Sequence, residues 1–475
     1  MKKIFIAVLA ATSLLFAESY QVNTLSAKQM GMAHTGAGVK LGSESMHFNP
    51  GGLGFLDKTL DASVGATFII PKVEVQAKGE KTVNDELGTP LYAYVASNIT
   101  DWFTAGLSFT TPYGNTVDYG ENWEGAGLLQ SISLAVYTLQ PTVAFKLIDQ
   151  VSFGGGPTIN FGSFSLSKRL VPAGTLNGLG PLAGLSPYVP SAAGITAIVD
   201  KYAISSVSAE FSGDADVGIG FHVGALYDII KDKLAFGVSY RSKVDMKIAK
   251  GEATGTEDIT ALNNIIDDIL AAAAAGAPLP IPPTLARVPV PSLEKGTFKA
   301  ELPLPANLNA GISFRPLDAL LLDFDLQMVF WGVYKELSLD FTDDVILGYD
   351  PSTNQYIHSS VSKKNYHNTF AYRLGAQYTL IDQLDVRLGA YYDETPVDDD
   401  YLTPESPSTD KLGFTIGASY RPITGLSIDA SLLRAVNLAS RKATSESNPA
   451  KAGDGLDARY KVTAWVPSIG LNYGF

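Results

Sequence analysis

Along most of this chain apolar and polar residues alternate with a period of two, most plainly in the final eleven residues. Counting back from Phe475 gives Tyr473, Leu471, Ile469, Pro467 and Trp465 on one face. Gly474, Asn472, Gly470, Ser468 and Val466 lie on the other. Such a strand suits a sheet with one face toward lipid and the other toward water or a polar lumen. The closing strand of a soluble sandwich shows the same alternation, so this segment leaves both open.

The remaining runs separate the two. Leu384, Val386, Leu388, Ala390 and Tyr392 oppose Asp385, Arg387, Gly389, Tyr391 and Asp393, and Leu412 to Tyr420 repeats the pattern. Leu320, Leu322, Phe324, Leu326 and Met328 share a face opposite Asp323 and Asp325. Charge at Asp323, Asp325, Asp385 and Arg387 is costly in a dry core and tolerable in a wet or salt-bridged lumen. Six short turns near Ile99–Trp102, Leu147–Gln150, Ile230–Lys233, Arg315–Asp318, Leu380–Gln383 and Arg421–Gly425 carry the Asp, Pro and Gly of hairpins. Seven longer connections separate them, at 73–89, 114–129, 169–205, 249–296, 342–364, 395–410 and 438–457. Short turns at one end and long loops at the other predict an all-β fold: a 14-stranded antiparallel transmembrane β-barrel running from Asp57 to Phe475.

The chain before Asp57 is different. Met1-Lys2-Lys3, an apolar run from Ile4 to Leu15 and Ala17 read as a signal peptide over 1–17, cut after Ala17. Residues 18–56 are glycine-punctuated and lack alternation, which predicts a compact irregular segment. Two long loops are greasy. In 257–275, Ile259, Leu262, Ile265, Ile266, Ile269 and Leu270 fall at helical spacing behind Thr256 and before Gly276, which predicts an amphipathic helix. In 169–205 the apolar set includes Leu176, Leu185, Ile195, Ile198 and Val199. Each loop either covers a small core of its own or offers an apolar collecting surface at the barrel mouth.

Composition narrows the chemistry. No stretch beyond the signal is long and apolar enough for a spanning helix, and the chain has no cysteine, which removes disulfides and thiolate chemistry. The net charge is −13, or −15 without Lys2 and Lys3, which disfavours nucleic acid as a partner. The 22 Tyr, 22 Phe and 45 Gly suit aromatic belts and tight turns. His34, His47, His222, His358 and His367 show no metal-ligand spacing, and no serine sits in a Gly-x-Ser-x-Gly elbow. The sequence therefore offers no catalytic residue, metal site or cofactor, and the expectation is a non-enzyme.

Several segments, in order, resemble the FadL family of outer-membrane long-chain fatty acid and hydrocarbon transporters. Tyr20 through Phe48-Asn-Pro-Gly-Gly-Leu53 is similar to that family's N-terminal hatch, with Gly51 in place of an alanine, a change expected to loosen the backbone. Thr111-Pro-Tyr-Gly114 resembles the end of its third strand, Leu302-Pro-Leu-Pro-Ala306 its eighth, Trp331 its ninth, and Tyr372-Arg-Leu-Gly375 and Asp393–Val397 its tenth and eleventh. The resemblance implies a barrel plugged by a hatch at 18–56, with Tyr20 by the inner pocket and Asn49, Pro50 and Gly51 in the hatch turn. It implies ligand capture between the two long loops and lateral exit near Thr111, Pro112 and Tyr113, where Pro112 cannot donate to a ladder. Ile195, Ile198, Val199, Leu262, Ile266 and Ile269 are the capture candidates.

The expected function is passive, ligand-gated uptake of fatty acids or hydrocarbons across the outer membrane of a Gram-negative bacterium. An open polar porin is the main alternative, ahead of an outer-membrane phospholipase or an adhesin. The expected partners are the hydrophobic ligand, outer-membrane lipid and lipopolysaccharide, and the barrel assembly machinery through Phe475. A monomer is expected, since a barrel closes its own edges.

Overall fold

The computed structural model describes residues 20–171, 207–255, 267, 271, 274–275, 296–342, 348–350, 355–443 and 456–475. The candidates Ile195, Ile198, Val199, Leu262, Ile266 and Ile269 and the signal peptide lie outside these residues. Within the predicted helical stretch, Asp267, Ala271 and Ala274 are helical, and the Ala275 amide donates to the Ala271 carbonyl at 3.0 Å.

Fourteen strands close into an antiparallel barrel. They are β1 (Leu60–Thr67 and Ile70–Ala77), β2 (Glu80–Asn84 and Leu91–Thr100), β3 (Phe103–Asp118), β4 (Ser131–Ile148) and β5 (Val151–Val171). Next come β6 (Val207–Ile230), β7 (Leu234–Arg241 and Val244–Gly255), β8 (Gly296–Leu304 and Asn307–Leu317) and β9 (Leu320–Val329 and Glu336–Phe341). The wall ends with β10 (Ser359–Lys363 and Thr369–Ile381), β11 (Leu384–Asp393), β12 (Lys411–Ile423), β13 (Leu426–Asn437 and Arg441–Ala443) and β14 (Ala458–Gly474). Each strand pairs with the next, and β14 returns to β1 with Asp61 opposite Gly474. The Phe475 amide and Leu60 carbonyl close the ring at 3.0 Å. Pro467 marks a break in that seam: the β1 ladder stops at Thr67 and resumes at Ile70, with the Phe68 amide reaching the Pro467 carbonyl at 2.8 Å.

All six predicted short turns are present, and the alternation sets the faces as expected. Outward leucines and isoleucines such as Leu374, Leu388, Ile416 and Ile469 are more than half exposed. They lie between an aromatic belt near the short turns (Trp102, Tyr227, Tyr378, Tyr420, Tyr473) and a second toward the loops (Phe161, Tyr240, Tyr372, Phe414, Trp465). This is the lipid face of a membrane barrel.

Three expectations are corrected. The connection at 73–89 is largely strand: Val73, Val75 and Ala77 continue β1 inward, and Lys78 and Gly79, both at positive φ, turn the chain tightly into β2. Thr111–Gly114 is not the end of the third strand but lies within β3, for a reason given below. Gly51 does not loosen the hatch: a Cβ there would stand 2.7 Å from the Ala225 backbone, so the glycine permits a close approach to β6.

The lumen has two tiers. Toward the long loops its walls are apolar, with Val136, Phe211, Met246, Ile248, Phe298 and Leu339 buried. Toward the short turns they are polar, with Gln140, His222, Asp325, Arg387 and Asp429 buried. Residues 20–56 fill the polar tier as two short helices, α1 (Ala27–Met30) and α2 (Ser45–Phe48), with 3-10 turns at Gly42–Glu44 and Pro50–Phe55.

Candidate functional site

The hatch is held because the wall supplies partners for its loose backbone ends. Short helices leave most of their terminal amides and carbonyls unpaired. The carbonyls at the end of α2 are met by the wall: Gln140 Nε2 donates to Met46 O at 2.8 Å, Arg241 Nη2 to His47 O at 3.4 Å and Ser239 Oγ to Phe48 O at 3.0 Å. The Asp325 carboxylate accepts from the Gly36 and Ala37 amides at 2.7 and 2.9 Å. Asn49 caps the turn that follows. Its Oδ1 accepts from the Gly51 amide at 2.9 Å, while Nδ2 donates to Ala37 O at 2.7 Å and Ala225 O at 2.9 Å. Asn49 thus ties two hatch loops to β6, and Pro50 starts the 3-10 turn behind it.

Burial disfavours the charged form of both hatch histidines. Burial, reinforced by the Arg373 cation, holds His34 down to a pKa of about 3. Burial and Arg241 push His47 well below the ordinary imidazole value.

The first residues of the hatch explain why β3 continues past Thr111. The β2 ladder to β3 ends at Tyr92 opposite Thr110. On the other side the register to β4 slips between Thr110 and Tyr113, so one extra residue is bulged out at Thr111–Pro112. Beyond the bulge Gln21 takes the place of β2 opposite Tyr113. The Val22 amide donates to Pro112 O at 2.8 Å and the Gly114 amide to Tyr20 O at 2.9 Å. Pro112 offers no amide, so this strand cannot be fully laddered there. Residues 110–115 are buried in succession, and alternation is lost where the wall is doubled by the hatch.

Tyr20 ends this segment in an aromatic box. Its ring stands edge-on to Trp331 at 4.8 Å and to Tyr334 at 5.8 Å, and Tyr334 meets Tyr366 at 5.0 Å. Its hydroxyl donates to Pro303 O. The box lies at the boundary between the tiers. Beneath it is a polar cavity of about 40 Å³, room for a water or two, lined by Gln21, His34, Arg241, Asp325 and Arg373. Beside it the apolar tier has a cleft of about 30 Å³ between Leu134, Val136, Phe164, Met246, Ile248 and Leu302.

The top is covered from one side. The connection after β11 folds inward with Val397 and Leu402 buried, and Asn115 Nδ2 of β3 and Tyr119 Oη just beyond it donate to its Glu405 and Pro404 carbonyls at 3.0 and 3.1 Å. Lys364, fully buried, pairs with Glu405.

The profile of the outer membrane protein transport proteins (OMPP1/FadL/TodX) matches residues 8–475. The chain belongs to the FadL/TodX family. A long-chain fatty acid transport protein of Escherichia coli O6:H1 is 23% identical over 479 residues, covering 99% of this chain and 97% of its own. A Pseudomonas aeruginosa FadL homologue shares the fold at a TM-score of 0.73 and 20% identity, covering 96% of this chain and all of the other. The Ralstonia pickettii toluene transporter TbuX does so at 0.62 and 19%, covering 95% and 98%. As a FadL/TodX protein it is an outer-membrane β-barrel and a transport protein, not an enzyme.

The structure brings Tyr20, Thr111, Pro112 and Tyr113 together where the hatch start meets β3, and places Asn49, Pro50 and Gly51 at a separate contact of the hatch with β6. Trp331, Tyr334, Tyr366, Arg241 and Arg373 join them without having been singled out as site residues. Trp331 sits in a 3-10 turn that splits β9, and Tyr366 in the break of β10. Such breaks inside otherwise alternating runs are the signal by which they could have been found.

Proposed function

We propose that the protein takes up hydrophobic small molecules, long-chain fatty acids or hydrocarbons, by ligand-gated passive diffusion with lateral exit through the wall. The observation that carries this reading is the pairing of Tyr20–Val22 with β3 at the bulge, where the wall's own ladder stops. An apolar solute entering the upper tier meets apolar walls as far as the aromatic box. Below lie buried charges and the docked hatch, which an apolar solute cannot cross without separating ion pairs and hydrogen bonds. The cheaper route is sideways. If Tyr20 leaves its box, Gln21 and Val22 come off β3 and expose a gap between β2 and β3 to lipid.

The apolar upper tier and the filled lower tier speak against an open polar porin. The test is uptake in a strain lacking its own transporters of this kind. Expression should speed entry of labelled oleate or toluene and leave entry of small sugars unchanged. Faster sugar entry without faster oleate or toluene entry would establish the porin instead.

A further inference from the structure

The lipid face carries a feature that ligand passage does not use. A groove of about 570 Å³ runs across the outside of β9–β14, lined by Leu322, Leu374, Leu388, Ile416, Leu432 and Phe414, and by Arg434 and Trp465. Its floor is low because the outward positions Ala376 and Ala390 are small among leucines and aromatics. Among the described residues, Arg434 is the one charged side chain on the outward faces of β9–β14 from the short-turn belt up to the level of Phe414 and Trp465. It stands between Phe414 and Trp465 in register and lies over the Trp465 ring at 4.8 Å. It forms no ion pair with a described residue.

A guanidinium on a lipid-facing strand is costly at mid-membrane and tolerated near an interface. Trp465 belongs to the belt on the long-loop side, which places Arg434 at the headgroup level of the extracellular leaflet. There a cation stacked on an aromatic ring retains its donors for a phosphate.

We propose that this groove is a binding site for lipopolysaccharide: a lipid A phosphate on Arg434 and an acyl chain along the alanine-floored groove. The charge supplies headgroup recognition and the groove supplies apolar contact, on the side of the barrel that faces the glycolipid leaflet. Trp465 lies under the guanidinium and Phe414 stands opposite Arg434 on the neighbouring strand.

The test is native mass spectrometry of detergent-purified protein titrated with bisphosphorylated lipid A, with heat-modified gel mobility confirming that each variant is a folded barrel. One lipid A should bind per barrel. Arg434→Gln should weaken it about fivefold, the loss of one cation–phosphate contact near a membrane surface. Ala390→Phe, which fills the groove without touching the charge, should weaken it as well. Binding by both variants as tight as that of the unaltered protein would remove the site. Phosphatidylglycerol binding as tightly as lipid A would make it a phospholipid site and overturn the assignment.

Discussion

Asn49 shows how much one side chain does in this molecule. Removing its amide in Asn49→Ala strands the Ala37 and Ala225 carbonyls and the Gly51 amide in a buried seam. Leaving such groups unpaired costs about 1–3 kcal/mol, against the docked hatch rather than the barrel. The expected result is a raised basal ion conductance with an unchanged barrel melting temperature; unchanged conductance would mean Asn49 holds nothing. Gly51→Ala should act in the same direction, because its Cβ meets the β6 backbone rather than a flexible side chain. His34 and His47 give the seam a pH dependence. Their docked pKa values are depressed below the roughly 6.5 of a free imidazole, so docking is fully favourable above that pH. As pH falls the undocked hatch takes up protons that the docked hatch refuses, and stability is lost at up to about 1.4 kcal/mol per pH unit for each histidine. Conductance should therefore rise from pH 7 to pH 5, and a flat profile would contradict the neutral assignment. At this scale the sequence told a partial story. Asn49-Pro50 reads as a turn from its residue types, but the wall partner of Asn49, Ala225, comes from 176 residues away in the chain and no local pattern names it.

At the scale of elements, the strands were legible because lipid on one side and lumen on the other enforce a strict period of two. The six short turns were legible for the same reason. One place where sequence and structure part is where the hatch intervenes, and another is a tight turn at the loop end. Thr111–Gly114 looks like a strand end because Pro112 lacks a donor, yet the strand continues because hatch backbone takes over the pairing. The turn at Lys78–Gly79 was hidden by charged residues around it, although Val73, Val75 and Ala77 keep the alternation going. Removing residues 18–56 should empty the polar tier and open a conducting lumen in planar bilayers, while low conductance would show that something else fills it. Phe475 closes the ring against Leu60 through two backbone bonds. Its deletion should lower the amount of barrel reaching the outer membrane without altering ligand preference; normal levels would remove it as an assembly element.

The whole molecule is a barrel divided across its lumen, apolar toward the long loops and polar where the hatch is seated. Charged inward residues suggested a wet or salt-bridged lumen, and Arg387 pairs with Asp385 at 3.7 Å in the wall while Asp325 accepts from hatch amides. The upper tier was harder to see in sequence, since inward apolar residues there alternate with outward ones and the two faces look alike. On the proposed route, the seam between Gln21 and Tyr113 is where an apolar solute leaves without crossing charge. Because the chain has no cysteine, that seam can be locked alone. Residues facing across an antiparallel ladder have Cα atoms within disulfide reach, so Gln21→Cys with Tyr113→Cys should cross-link on oxidation. The decisive measurement is uptake of labelled oleate or toluene, whichever the protein carries, by this double variant before and after reduction. Lateral exit predicts uptake at background when oxidised and its return on reduction; equal uptake in both states, with the cross-link shown complete, would contradict it.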